Sequence, residues 1–343
     1  MSSVTWKCPS NIALVKYWGK KGNQLPANPS ISFTLSNCHT ITTLSFTPKE
    51  NDGTLLVSFA YDGQPMPSFE PKLEIFFNKV ESLFPFLPGF ILEINTTNTF
   101  PHSSGIASSA SGMAALALCL CSMEKEIGNT LSDEDFFKKA SIAARLGSGS
   151  ASRSVYGPLA TWGQSNLYSG SSDEFAIKVG GVHDIFKTYC DTILIVDEGT
   201  KNVSSSVGHS LLNNHPFAPA RFEEANKNLE LLKNALATGD LILFNQVVEK
   251  EAMMLHAMMM TSNPYFLLMK PGTVAIIHKV WESRKQLDLN MTITLDAGAN
   301  VHLLYPAAEK NKVQEFIKNE LAQYSSKNHF IHDYVGKGPE QMA

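Results

Sequence analysis

Between residues 30 and 60 apolar and polar positions alternate, as in ISFTLSN and TITTLSFTP, and Ser, Thr and β-branched residues dominate. A period of two sends alternate side chains to opposite faces of a strand, so this stretch predicts antiparallel strands with turns at Asn37 and around 51–53. The period then lengthens. A helix is expected over 72–83, followed by a strand over 90–95 with Phe90, Leu92 and Ile94 on one face. The next helix carries Met113, Leu116, Ala117 and Leu120 on one stripe, and another spans 133–146 and stops at Gly147. The apolar run 193–197 reads as a buried strand. From residue 220 the texture is helical, over 222–236, 240–260 and 272–284, with the methionines of 253–260 on a core stripe. Two strands, 291–295 and 301–305, join through DAGAN, and a helix over 310–324 precedes a glycine-containing tail. Strands early and helices late predict an α+β protein in two parts, 1–187 and 188–343.

The 343 residues are 43% hydrophobic and 17% charged, enough chain and apolar surface for a substantial core. A net charge of −4 gives no bulk attraction to nucleic acid or an anionic membrane, so an anionic substrate needs a local cluster of cations. The densest apolar run, 113–123, is too short to span a bilayer, and MSSVTWKCPSN lacks the pattern of a secretory signal. Cys8, Cys38, Cys119, Cys121 and Cys190 show no metal spacing. Free buried thiols in a reducing, cytoplasmic setting are expected.

Residues 101–112, PHSSGIASSASG, follow a strand and open a helix. Small residues let backbone approach a ligand, and the first turn of a helix offers amides and a dipole suited to phosphate. Ser108, Ser109 and Ser111 suit capping, phosphate contact or, through a hydroxyl, Mg²⁺. The segment has neither the Gly-Lys-Ser/Thr of a Walker loop nor G-x-G-x-x-G. Taken alone, it reads equally as an N-cap before a packing helix.

Three further clusters carry chemistry. CPSNIALVKYWGKK (8–21) sets Lys16 and Lys20 four apart around Tyr17 and Trp18, an arrangement suited to a polyphosphate or carboxylate, or to a solvated surface. RLGSGSASRSVYG (145–157) surrounds Arg153, whose planar fork suits a carboxylate, with serines; a Ser-rich connecting loop is the plainer alternative. TITLDAGAN (292–300) brings Asp296 out at a strand end, with room to act as a base or simply to open a turn.

Together these segments resemble the superfamily of galactokinase, homoserine kinase, mevalonate kinase and phosphomevalonate kinase (GHMP), and within it the diphosphomevalonate decarboxylase family. NIALVKYWGK with PSISFTLS is similar to that family's N-terminal signature, PHSSGIASSASG to its phosphate loop, GSGSASRSVYG to its serine–arginine motif and LDAGAN to its aspartate motif; KNVSSSVGH and VGKGPEQ match more weakly. The resemblance implies a ribosomal-protein-S5-like N-terminal half and a ferredoxin-like C-terminal half with the active site between them. It also implies a cytoplasmic homodimer that uses ATP and Mg²⁺ in isoprenoid (lipid) biosynthesis.

The implied reaction phosphorylates the 3-hydroxyl of mevalonate 5-diphosphate and releases phosphate and CO2 to give isopentenyl diphosphate. By the resemblance, Asp296 takes or orients the hydroxyl proton, Lys16 stabilises charge beside it and Arg153 holds the carboxylate. Ser148 and Ser150 donate to substrate, and Tyr17, Lys20 and Ser205 contact its diphosphate or carboxylate. Ser103, Ser104, Gly105, Ala107, Ser108 and Ser109 bind ATP, with Ser108 and Ser109 at the metal. The chain departs from the family pattern at His102–Ser103–Ser104, where Thr-Ala-Ala is expected, and at His209 in place of Met. It has no clear match to an Arg that some members carry near residue 70, Lys72 being the nearest cation. Alternatives are a mevalonate 5-phosphate decarboxylase, a mevalonate 3-kinase, or a non-catalytic sensor on the same fold; the joint presence of Lys16, Arg153 and Asp296 argues against the 3-kinase, and Asp296 against the sensor.

Overall fold

The computed structural model describes residues 2–101, 106–199 and 205–342, with backbone alone at 205 and 206. The first part comprises β1 (Ser2–Val15), the short pair β2 (Lys20–Lys21) and β3 (Leu25–Pro26), β4 (Ser30–Pro48), β5 (Leu56–Tyr61) and β6 (Gln64–Pro65). It continues with α1 (Glu70–Val80), β7 (Phe90–Asn98), α2 (Ser108–Glu126), α3 (Asp133–Gly147), α4 (Ala151–Ser154), β8 (Leu159–Trp162) and β9 (Ala176–Lys178). The second comprises β10 (Cys190–Leu194), α5 (Ser205–Ser210), α6 (Ala218–Thr238), α7 (Leu241–Met260) and α8 (Pro271–Leu287). It ends with β11 (Thr292–Leu295), β12 (Val301–Tyr305), α9 (Lys310–Phe316), β13 (Phe330–Tyr334) and β14 (Glu340–Met342).

The larger sheet runs β14-β1-β4-β7-β5-β6, with β8 and β9 continuing from the first residues of β4. Its alternation buries Val4, Trp6, Cys8, Leu44, Leu92 and Ile94 against α1, α2 and α3, where Leu116, Ala117 and Leu120 face them as their spacing requires. Ile12, Leu14, Ile31 and Phe33 turn the other way and meet Leu229, Leu232, Phe244 and Val248 of α6 and α7. The second sheet, β11-β12-β10-β13, is antiparallel and covers a core with α8 and α9. Ile193 and Leu304 on its opposite face join the same cluster as Phe33, so one apolar core links the two sheets. The tail returns to the first sheet, where Thr5 pairs with Met342.

Several expectations change. Asn37 makes no chain reversal: β4 runs through it, and the pairing with β1 jumps from Pro9–His39 to Asn11–Thr34 across a bulge. The bulged amides of Ser36, Asn37 and Cys38 donate to the Asp333 carboxylate, 297 to 295 residues away in sequence, which no local pattern reveals. β5 follows the predicted break near 51–53 but pairs in parallel with β7 instead of antiparallel with β4. The segment around Lys16 begins as β1, a 14-residue strand that its motif-rich sequence disguised. The helix expected over 310–324 is regular only to Phe316 and ends in a π turn and a 3-10 turn. Met258 and Met259 are buried, whereas Met260 faces outward.

All five cysteines are free and buried. Among the described residues no helix is long and apolar enough to cross a membrane.

Candidate active site

Lys16 follows the last residue of β1, where the chain leaves the sheet. Its side chain is buried, and Nζ donates to the Ala13 carbonyl at 2.5 Å. Burial pushes its pKa from 10.5 down to about 8, while the carboxylates of Asp296 and Glu251 work in the opposite direction and Arg153 adds to the fall. Lys20, by contrast, is half-buried in β2, and burial and the neighbouring charge of Lys79 lower its pKa. The two lysines that the sequence pairs thus have different surroundings: one is enclosed beside carboxylates, the other stands at the rim with a second cation.

Arg153 lies in α4, a single turn following the α3 terminus, and is buried. Its Nε donates to Ser32 Oγ at 3.0 Å, Nη1 to Ser30 Oγ and Nη2 to Asn11 Oδ1 at 3.3 Å. Ser30 and Ser32 are alternate residues of β4 and therefore share a face, which is why two hydroxyls meet one guanidinium. Asn11 is held in turn by donating to Ser154 Oγ at 2.8 Å and to the Ser150 carbonyl at 3.2 Å. No carboxylate is hydrogen-bonded to Arg153 among these contacts. Burial lowers its pKa to about 10, opposed by the negative charge of Asp296.

Asp296 follows β11 and turns through a Gly298 N–H to Asp296 C=O bond of 2.7 Å. Its carboxylate acts electrostatically on Lys16 and Arg153, so these three groups from distant segments share one field. His256 of α7 donates through Nε2 to the Asp296 carbonyl at 3.2 Å, fixing the turn from behind. Burial holds this imidazole neutral, with its pKa lowered to about 4.

Tyr17 packs its ring 4.6 Å from Trp162 and 4.4 Å from His209, measured between centroids. Its hydroxyl is buried without a hydrogen-bond partner among the described residues, and a Cβ added at Gly149 would lie 2.7 Å from that oxygen. Glycine at 149 is what allows the serine–arginine motif to close over the ring. His209 lies between Tyr17 and Trp18, the latter at 4.5 Å, and its Nδ1 accepts from the Gly19 amide at 3.0 Å. Burial pushes its pKa to about 3, and Lys20 adds to the fall.

Ser148 caps the C-terminus of α3 and Ser150 precedes α4, both half-buried near Arg153. Ser109, exposed in the first turn of α2, has Oγ 3.4 Å from Ser148 Oγ. The N-cap of α2 is Ala107 in the left-handed region, with no side-chain cap, so neither Ser108 nor Ser109 serves that purpose. Ser111 is buried and committed to Thr40 Oγ1 at 2.6 Å, which removes it from any ligand role. His102, Ser103, Ser104 and Gly105 lie outside the described residues, as does the Ser205 side chain. Lys72, the sequence's nearest cation to the missing Arg, sits over the Phe69 ring at 4.9 Å. Lys79, two turns further along α1, is the one whose charge reaches Lys20, and its Nζ donates to the Leu146 carbonyl at 3.4 Å.

Sequence reasoning missed Asn11, Ser30, Ser32, Lys79 and His256. The first three lay inside quoted motifs, with the i, i+2 serines as a usable signal. The others gave none, because their partners come from distant segments.

A glycine- and serine-rich segment opening a helix, with buried Lys16 and Arg153 and half-buried Asp296 acting on one another between two sheets, defines the GHMP kinase class of fold. Residues 8–175 match the diphosphomevalonate decarboxylase-like N-terminal domain and residues 192–341 the mevalonate 5-diphosphate decarboxylase C-terminal domain. The chain belongs to the diphosphomevalonate decarboxylase family. The diphosphomevalonate decarboxylase of Saccharomyces cerevisiae is 30% identical, over 92% of this chain and 80% of its own. The mevalonate diphosphate decarboxylase of Staphylococcus aureus superposes with a TM-score of 0.85 at 28% identity, covering 99% of this chain and 98% of that one. A related structure in complex with MVAPP, AMPPCP and magnesium gives 0.83 at 28%, with coverage of 99% and 98%.

Proposed function

We propose that this enzyme uses ATP to convert mevalonate 5-diphosphate into isopentenyl diphosphate, ADP, phosphate and CO2. The observation that carries the reading is the shared field of Lys16, Arg153 and Asp296, two buried cations and one half-buried carboxylate. The 3-hydroxyl oxygen attacks the γ-phosphorus of ATP, the bond to ADP breaks, and Asp296 takes or orients the hydroxyl proton. Lys16 stabilises charge gathering at that oxygen, its ammonium strengthened by the low-dielectric surroundings. The C3–O bond to phosphate then breaks, the C–C bond electrons of the carboxylate-bearing carbon form the new alkene, and CO2 leaves. Arg153 aligns the carboxylate for that loss, its fork fixed by Ser30, Ser32 and Asn11.

Ser148 and Ser150 donate to the substrate, and Tyr17, Lys20 and Ser205 address its diphosphate or carboxylate. The partnerless Tyr17 hydroxyl and the cationic rim of Lys20 and Lys79 support this assignment. Ser103, Ser104, Gly105, Ala107, Ser108 and Ser109 hold ATP, and a hydroxyl of Ser108 or Ser109 reaches the metal. When bound, Mg²⁺ neutralises charge on the transferring phosphates.

We assign the two domains to 1–187 and 188–343, a reading supported by the interval between the family matches at 175 and 192. A cytoplasmic homodimer in isoprenoid and lipid biosynthesis completes the proposal, with the five free buried thiols suited to a reducing compartment. Light scattering of the purified protein reads the mass, and a monomer overturns the dimer.

The deciding experiment supplies ATP, Mg²⁺ and either mevalonate 5-diphosphate or mevalonate 5-phosphate. Equal release of CO2, ADP and phosphate from the diphosphate is expected. Turnover of the monophosphate alone would overturn the substrate assignment, and ADP release without CO2 would indicate a 3-kinase.

A further inference from the structure

Lys16 is the first residue beyond β1, so its amide and carbonyl lack the ladder partners that hold residues inside a sheet. Both are nevertheless fixed, the amide from the other half of the protein and the carbonyl from both halves. The Lys16 N–H donates to Glu251 Oε2 at 2.9 Å. The Lys16 carbonyl accepts from Arg221 Nη2 at 3.4 Å and from Asn28 Nδ2 at 3.0 Å. Arg221 and Glu251 are themselves joined by two bonds, Nη1 to Oε1 at 3.1 Å and Nη2 to Oε2 at 2.6 Å. Asn228, two turns along α6 from Arg221, donates to Glu251 Oε1 at 2.6 Å. One carboxylate thus accepts four donors, and one guanidinium spans it and the Lys16 peptide.

The pair is fully enclosed, Arg221 being 1% and Glu251 0% exposed. Burying two ions is costly, and an apolar pair of similar volume is often as stable or more so. Stability alone therefore gives little reason for this arrangement. Its geometry gives another. α6 and α7 pack against the first sheet through an apolar core, which allows sliding more readily than a directional contact does. The bonds to Lys16 register those helices against the end of β1, and α7 also carries His256, which donates to the Asp296 carbonyl. One helix therefore holds backbone on both sides of the reacting groups, at Lys16 and at Asp296.

We propose that Glu251 and Arg221 are positioning residues for catalysis: they clamp the Lys16 peptide from the C-terminal helices and so aim its ammonium at the reacting hydroxyl. This rests on the role assigned to Lys16, and neither residue touches the substrate. The clamp acts on kcat through Lys16 and leaves nucleotide binding, which belongs to the loop before α2, essentially unaltered.

A mutant cycle tests this. R221M/E251L replaces the ion pair with apolar side chains, and thermal unfolding reports whether the fold is kept. Its kcat for CO2 release is expected to fall about 10-fold or more, with KM for ATP changed less than about two-fold. Added to K16A, the same double substitution should cause no further fall in kcat, since the clamp then has nothing to aim. A folded R221M/E251L enzyme with wild-type kcat, or effects that multiply with those of K16A, would overturn the clamp. A K16A enzyme with near wild-type kcat would sink the role of Lys16, and the clamp with it, so the two failures are told apart. Should R221M/E251L fail to fold, E251D takes its place in the cycle. It keeps both charges but draws the carboxylate back from the Lys16 amide, with the same outcomes required.

Discussion

Ser109 Oγ lies 3.4 Å from Ser148 Oγ, so the start of α2 and the end of α3 meet at a pair of hydroxyls. One hydroxyl belongs to the proposed ATP side and the other to the proposed substrate side. On that proposed assignment the two ligands would meet edge to edge.

Ser109→Ala should raise KM for ATP and Ser148→Ala should raise KM for the mevalonate compound, each by roughly 10-fold, the value of a hydrogen bond to a charged group. Steady-state kinetics with each substrate varied in turn reads both. Equal effects of either substitution on the two KM values would contradict the division of labour.

Asp296→Asn preserves shape and removes the carboxylate charge. CO2 release is expected to drop by ~10²–10⁴-fold, the usual contribution of a positioned acid–base group. Binding of ATP, followed by calorimetry, should persist. Near wild-type turnover would refute the role of Asp296.

Lys16 supplies a pH signature. With its pKa in the unliganded protein lowered to about 8 by burial, kcat/KM for the mevalonate compound should decline as pH rises through that value, because the ammonium is lost. The stability effect runs the other way. Between about 8 and 10.5 the unfolded chain binds a proton at Lys16 that the folded chain has released, so stability rises with pH across this window. Lys16→Met should therefore lose most of its kcat yet be more stable at pH 7, by about 1–3 kcal/mol, and its advantage should shrink between pH 8 and 10.5. Denaturant titrations at pH 7 and 10 decide this; a Lys16→Met protein less stable than wild type at pH 7 would contradict it.

Lys79, beside Lys20, should assist the diphosphate end of the substrate. Lys79→Ala is expected to raise KM for mevalonate 5-diphosphate by roughly 3- to 10-fold, an effect that weakens at high salt as exposed charges are screened. Lys72→Ala should leave that KM unchanged, since its ammonium lies over Phe69. The reverse pattern would restore Lys72 to the site.

The amphipathic faces of α1 and α3 and the alternation in β4 and β7 were legible in the sequence, because each buries a face by a period of its own chain, whereas α2 is buried at every residue from Ala114 to Glu124. The Gly/Ser segment, the Ser/Arg motif and Asp296 were legible for a related reason: small residues, hydroxyls and a charge occur there at a density that packing does not require. The strand β1 was not, since its motif residues interrupt the alternation that marks a strand. Nor was the parallel pairing of β5 with β7, which depends on neighbours in the sheet.

By itself, then, the chain order determined the motifs and the elements that carry them. Only the tertiary structure decided what surrounds each charge. It separated Lys16 from Lys20, gave Arg153 a cradle of Ser30, Ser32 and Asn11, and set the charge of Lys79 on Lys20 while Lys72 lies over Phe69. It also set Glu251 on an amide 235 residues away. Periodicity is a property of neighbours along the chain, whereas desolvation and hydrogen bonding are set by neighbours in space, and folding alone brings those together.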